Sequence, residues 1–140
     1  MPVELKIFNE KEAGAIAQHL VSLMQQCQIF AFTGSLGAGK TTLIKHLLKK
    51  CGVADVVTSP TFTYLNVYQN SKGQNFYHFD LYRIATLEEF RAAGFDEYLY
   101  VPNGWTFIEW PSVIMPLLTK NVCFSEIDFY HEQRQIKITY

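Results

Sequence analysis

The chain has 140 residues, of which 49% are hydrophobic and 18% charged, with a formal net charge of −1. That length suits one domain able to bury roughly two-thirds of its unfolded surface, and the composition excludes a disordered or fibrous polymer. The charge balance lacks the basic surplus on which direct nucleic-acid binding usually rests; the arginines are Arg83, Arg91 and Arg134, so any nucleic-acid role is expected to be indirect.

Cys27, Cys51 and Cys123 are widely spaced and form no C-x-x-C pair, which suits free thiols in a reducing compartment. Met1 to Glu10 mixes charged and apolar residues without the apolar core of an export signal. The apolar runs are too short to span a bilayer. A soluble, cytoplasmic protein with no membrane association is expected.

In chain order, Val3 to Phe8 reads as a strand. Asn9 follows as a helix N-cap with Glu12 three residues on, a capping-box pattern. Ala13, Ile16, Ala17, Leu20, Leu23 and Met24 recur at helical spacing. Gln28 to Thr33 is a compact apolar run with two phenylalanines, the signature of a buried strand. A glycine-rich loop, Gly34 to Gly39, leads into a helix over Lys40 to Cys51, with Leu43, Ile44, Leu47 and Leu48 on one face and Gly52 as its stop.

Thr58 to Thr61, with Pro60 inside, reads as a loop. Phe62 to Tyr68 and Gln74 to Asp80 read as a hairpin across the turn residues Asn70 to Gly73. Thr86 to Glu89 opens a short helix that Gly94 can end. Trp105 to Glu109 is a strand closed by Pro111. Val122 to Tyr130 and Gln135 to Tyr140 form a second hairpin across His131 to Arg134. This order predicts an α/β fold of the P-loop NTPase type in a single domain over residues 1–140. Its central mixed sheet is flanked by helices and carries antiparallel hairpin additions.

Gly34-Ser35-Leu36-Gly37-Ala38-Gly39-Lys40-Thr41 fits G-x-x-x-x-G-K-[ST] at every fixed position. The chemistry explains the pattern. Glycines let the backbone turn tightly and bring its N–H groups against phosphate oxygens, and the helix that starts here adds its N-terminal partial positive charge. Lys40 is expected to reach the β- and γ-phosphates and to act in catalysis. The Thr41 hydroxyl is expected to bind Mg²⁺. Gly34 through Thr42 is therefore the expected ATP·Mg²⁺ site, and a buried strand before it with a helix after it is the context such a loop requires.

That site also needs acidic groups for the metal shell and the attacking water. Asp80 and Glu109 each end an apolar strand, where ligands bind in open α/β sheets. Thr61 is either a switch residue on the γ-phosphate side or part of a rigid turn set by Pro60. His78 shares a strand face with Asp80 and reads first as a packed, hydrogen-bonded histidine and second as a proton relay. Trp110 either stacks or packs. No Asn-Lys-x-Asp guanine reader is present; the adenine is expected between Asn9 and the segment ending at Arg134.

Taken together, Leu36 to Thr42, Ser59-Pro-Thr-Phe62, His78-Phe-Asp-Leu-Tyr-Arg83, the Glu88-Glu89 helix and Ile108-Glu-Trp-Pro111 resemble the TsaE family along nearly the whole chain. TsaE is the ATPase subunit of bacterial tRNA threonylcarbamoyladenosine synthesis. The resemblance implies weak intrinsic ATP hydrolysis that resets a complex with a carbamoyl-transferase subunit and its paralogous scaffold subunit. Contact with tRNA would be indirect. It implies Thr41 and Glu109 as Mg²⁺ ligands, Asp80 as the catalytic or metal-shell acid, and Thr61 in a switch-like loop. Ser35 departs from the family's usual Asp. The rival readings are a small-molecule or nucleotide kinase, which the scarcity of arginines disfavours, and a non-hydrolysing ATP-gated binding module.

Overall fold

The computed structural model describes residues Met1–Tyr140. Its elements are β1 (Val3–Phe8), a 3₁₀ turn (Glu10–Glu12), α1 (Ala13–Ser22), β2 (Ile29–Thr33), α2 (Lys40–Lys50), β3 (Leu65–Gln69), β4 (Asn75–Asp80), α3 (Leu87–Ala92), a 3₁₀ turn (Phe95–Tyr98), β5 (Gly104–Glu109), a 3₁₀ turn (Ser112–Leu117), β6 (Val122–Tyr130) and β7 (Gln133–Thr139). One sheet of seven strands runs in the order β1-β7-β6-β2-β5-β4-β3. β6, β2, β5 and β4 are parallel neighbours. β3 joins β4 antiparallel at one end, and the β6–β7 hairpin with β1 completes the other. This is the expected mixed P-loop-type sheet with antiparallel additions.

Local chemistry accounts for the starts and stops. The Asn9 carboxamide accepts from the Glu12 N–H while the Asn9 N–H donates to the Glu12 carboxylate, so the capping box is closed in both directions. Thr86 caps α3 through the Glu89 N–H. Gly52 and Gly94 take φ of 87° and 77° just after α2 and α3, where a side chain would be strained.

Strand alternation then sorts the apolar residues into two cores. On one face α1 and α2 pack over Phe30, Phe32, Phe76, Phe107, Cys123, Ile127, Ile136 and Ile138. On the other, α3 and the last two 3₁₀ turns cover Ile29, Ala31, Tyr77, Phe79 and Ile108. Each fully buried Ile or Phe among them contributes about 1.5–3 kcal/mol. Register sets up the site: Glu109 lies beside Phe32 of β2 and beside Asp80 of β4. Period-2 alternation then places His78, Asp80 and Glu109 on the α2 side with Phe76 and Phe107.

Two strand starts differ from the sequence reading by two residues or more. The strand expected from Phe62 begins only at Leu65. Before it, the Tyr64 N–H donates to the Pro60 carbonyl at 2.8 Å and Tyr64 takes a φ of 66°, so the chain closes a turn around an exposed Phe62. The last strand begins at Gln133, because Tyr130 pairs with Gln133 and the turn shrinks to His131 and Glu132, with His131 at φ 54°. Arg134 is therefore a strand residue, paired with Phe8 and Phe129. The 3₁₀ turns at Phe95–Tyr98 and Ser112–Leu117 carry no helical periodicity long enough to be read.

Gly34, the first glycine of the loop after β2, has a φ of 138°, and a Cβ placed on it would come within 1.7 Å of the Ile127 carbonyl oxygen. Gly37, at φ 79°, has no atom within 4 Å of such a Cβ. Gly34→Ala is therefore expected to lose about 2–4 kcal/mol of stability, against about 1 kcal/mol for Gly37→Ala, read from urea-unfolding midpoints. Equal losses would mean that backbone strain alone, and not the approach of β6, requires glycine at position 34.

Candidate functional site

β2 is buried along Ile29 to Phe32, and the chain leaves it through Gly34 to wrap a loop that returns into α2. The Ala38 N–H donates to the Ser35 carbonyl within that loop, and Gly39 adopts a φ of 110° as α2's N-cap. The loop faces a cleft of about 400 Å³. The loop and the start of α2 line it with Gly37, Gly39, Lys40, Thr41 and Thr42, the strand ends with Asp80 and Glu109, and the connecting segments with Ser59, Thr61, Tyr82, Arg83 and Trp110. Leu36 also lines it and Ala38 is buried behind it.

Lys40 is only 4% exposed. Its Nζ donates to the carbonyls of Gly34 at 2.7 Å and Ser35 at 2.9 Å, and sits 4.2 Å from the centre of the Trp110 ring. Burial lowers its pKa, and the negative charges of Glu109, Asp80 and Asp128 act against that shift. Trp110 takes a φ of 58°, donates its N–H to the Phe32 carbonyl and packs 4.9 Å from the Tyr82 ring. Both readings offered for it therefore hold: it packs on Tyr82 and stacks over a cation.

The Thr41 hydroxyl donates to Glu109 Oε1 at 2.7 Å. His78, fully buried, lies 2.7 Å from Glu109 Oε2 through Nε2. A carboxylate only accepts, so Nε2 carries the proton. Nδ1 is buried and meets no hydrogen-bonding group of the chain. The geometry is that of a packed histidine holding a carboxylate. Asp80, 9% exposed, accepts from the Tyr82 N–H at 3.1 Å. Burial raises its pKa; that hydrogen bond opposes the rise and the Glu109 charge adds to it.

The remaining expected residues are placed as follows. Thr61 lines the cleft, its hydroxyl 2.9 Å from that of Ser59. Arg134 lines a second cleft of about 330 Å³ that shares Gly37, Gly39 and Thr42 with the first. Its Nε donates to the Ala38 carbonyl at 3.1 Å, its guanidinium lies 3.5 Å from Glu10, and it stacks on Phe129 at 4.4 Å. Asn9 lines neither cleft; its side chain is engaged in the cap. Ser35 is not among the residues lining the first cleft, and its hydroxyl donates to Asp128 Oδ1 at 2.8 Å, which lowers the Asp128 pKa.

Sequence reasoning gave no role to Tyr82, Arg83, Ser59 or Asp128. The first three sit within motifs already singled out, whereas nothing local marks Asp128 among the polar residues of β6. No group of three or more His, Cys, Asp or Glu side chains converges into a metal cage. The donor set at the cleft is a hydroxyl and two carboxylates, hard oxygens that suit Mg²⁺, an ion that keeps water and phosphate among its ligands.

The family model for threonylcarbamoyl adenosine biosynthesis protein TsaE matches residues 7–138. Curated relatives named tRNA threonylcarbamoyladenosine biosynthesis protein TsaE include one from Borreliella burgdorferi, 40% identical over 70% of both chains. Others come from Rickettsia felis, 36% identical over 91% of this chain and 74% of the relative, and Haemophilus influenzae, 36% identical over 87% and 77%. The solved structure of Bacillus subtilis YdiB superimposes with a TM-score of 0.73 at 26% identity, covering 99% of this chain and 86% of that one. The chain belongs to the TsaE family.

Because folding raises the Asp80 pKa, its ionised form is less favourable in the folded than in the unfolded chain. The stability lost in this way appears as pH rises from the ordinary carboxylate pKa of about 4 through the raised folded value, and is constant above it. Asp80→Asn, which keeps an oxygen for the Tyr82 N–H, is expected to be at least as stable as the wild type at pH 7. That advantage should vanish below pH of about 3.5. Thermal melts of both proteins across pH measure this; an Asn variant that is less stable at neutral pH contradicts it.

Proposed function

We propose that this chain binds ATP·Mg²⁺ at the cleft after β2 and hydrolyses the nucleotide as part of tRNA threonylcarbamoyladenosine biosynthesis. The observation that carries the reading is the convergence of Lys40, the α2 N-terminus, Thr41, Glu109 and Asp80 on one cleft at the carboxyl ends of β2, β4 and β5. Family membership supplies the pathway.

Each part has a physical task. The loop amides and the α2 N-terminus bind phosphate oxygens. Lys40, released from the Gly34 and Ser35 carbonyls, adds a charge aimed at the β- and γ-phosphates. Thr41, Glu109 and Asp80 would hold Mg²⁺, which when bound would neutralise phosphate charge as a Lewis acid. His78 fixes the Glu109 carboxylate by occupying one of its oxygens. Asp80, with a carboxylate oxygen free of the Tyr82 bond, orients the attacking water. Thr61 approaches from the γ-phosphate side. The Arg134 cleft adjoins the loop at Thr42, away from Glu109, and takes the adenine; Asn9 contributes by capping the 3₁₀ turn that leads into α1.

In this reading the protein is a single-domain cytoplasmic ATPase, weak alone. A carbamoyl-transferase subunit and its paralogous scaffold subunit stimulate it, and tRNA contacts those partners. No helix is long and apolar enough to cross a membrane.

Phosphate release from ATP with Mg²⁺, measured with and without those partners, tests the reading. Lys40→Ala is expected to weaken ATP binding by about a hundredfold, and Glu109→Gln to bind ATP while losing about 10²–10³ in turnover. Normal affinity and turnover in Lys40→Ala would remove the ATP site. A Glu109→Gln chain that supports tRNA modification at the wild-type level would make hydrolysis dispensable and leave an ATP-gated binding module.

A further inference from the structure

β1 is the terminal strand of the sheet and pairs only with β7. The Tyr140 N–H donates to the Pro2 carbonyl, which makes Pro2 and, by alternation, Glu4, Lys6 and Phe8 the residues whose main chain bonds to β7. The N–H and C=O groups of Val3, Leu5 and Ile7 therefore point away from the sheet. Their side chains are also exposed, at 57%, 62% and 47%. At the opposite edge, β3 is tied by the Asn66 carboxamide to the Thr58 carbonyl, so a neighbouring segment runs against it. No such segment runs along β1.

A free edge with three apolar side chains invites another strand, and its charges select which one. In a twofold antiparallel pairing of β1 with itself, the outward residues must face one another. Centring the pair on Glu4 puts two carboxylates opposite each other; centring it on Lys6 puts two ammonium groups opposite each other. Centring it on Leu5 brings Val3 opposite Ile7 and Leu5 opposite Leu5, uses every outward amide, and sets Glu4 of each copy opposite Lys6 of the other. Like charges directly opposite destabilise a pair and opposite charges stabilise it. Lys6 has no ion-pair partner within the chain, whereas the Glu4 carboxylate is held in place by His19 and Tyr140.

We infer that β1 is a homodimerisation edge, joining two copies of this chain through antiparallel β1–β1 pairing centred on Leu5. The seven-stranded sheets become one continuous sheet across the twofold axis, and the cleft at the strand ends of β2, β4 and β5 in each copy lies away from the paired β1 strands. The pairing is independent of what the cleft binds.

Sedimentation of the full chain over a concentration series is expected to show reversible dimerisation, weakened about tenfold by Lys6→Glu, which places Glu4 opposite a second carboxylate. A Leu5→Cys chain is expected to form an intermolecular disulfide on mild oxidation. The paired Cα atoms would stand about 5.5 Å apart, within disulfide range. A Val3→Cys chain is expected not to cross-link, because in this register the two Val3 residues lie about 13 Å apart. The native thiols Cys27 and Cys123 are buried and Cys51 is half-buried, so they give little background. A chain that stays monomeric throughout the series overturns the inference. So does Val3→Cys cross-linking as fast as Leu5→Cys. Should Lys6→Glu fail to fold, the exposed cysteine variants decide alone.

Discussion

A carboxylate removed from water must find donors or cost several kcal/mol, and Glu109, 3% exposed at the end of β5, finds them in two other elements. Thr41 comes from the first turn of α2 and His78 from β4, each 2.7 Å away on a different oxygen. The helix that follows the phosphate loop, the strand that carries Asp80 and the strand that carries Glu109 are thus locked by one side chain. The lock works only because the β4–β5 register sets Asp80 beside Glu109 and because alternation turns His78 to the same face. A slip of one residue in either strand would send the carboxylates into the opposite core.

The antiparallel additions serve the same centre from the other flank. The β6–β7 hairpin meets the phosphate loop at three points. Ile127 leaves no room for a side chain at Gly34, Asp128 accepts from Ser35, and Arg134 donates to the Ala38 carbonyl. The departure at position 35 from the family's usual Asp looks different in this setting. A carboxylate stands beside the loop, but it comes from β6. The Ser35 hydroxyl keeps that contact as a donor, which a second ionised carboxylate there could not do.

Features decided within a few residues were legible in the sequence. The phosphate loop, the Asn9 and Thr86 caps, the helix stops at Gly52 and Gly94 and the Asn70–Gly73 turn all rest on local chemistry, and each stands where the motif put it. Asp80 and Glu109 were found because strand ends are readable, although their neighbour relation is a matter of register. What escaped was non-local. Phe62 to Tyr64 have strand-forming side chains but close a turn onto Pro60. Gln133 and Arg134 look like turn residues but extend β7, because β6 supplies ladder partners to both and β1 a second one to Arg134. Asp128 gains its place only when β6 lies against the loop, and the packing of Trp110 over Lys40 depends on a left-handed backbone that no motif announces.

Burial is the leading cause of the shifts at both Lys40 and Asp80, and it disfavours the charged form of each. Each charge is partly relieved by the other, yet Asp80 also feels Glu109 at the same strand level, so the cluster's attractions and repulsions are not all satisfied together. A phosphate placed at Lys40 and a divalent cation placed among Thr41, Glu109 and Asp80 would answer the two needs at once. Separate anionic and cationic ligands would each leave one side uncompensated. In the proposed function, a magnesium nucleotide brings both charges joined in one ligand. Lys40 rests on the Gly34 and Ser35 carbonyls and on the Trp110 ring, neutral partners that an anionic phosphate would replace.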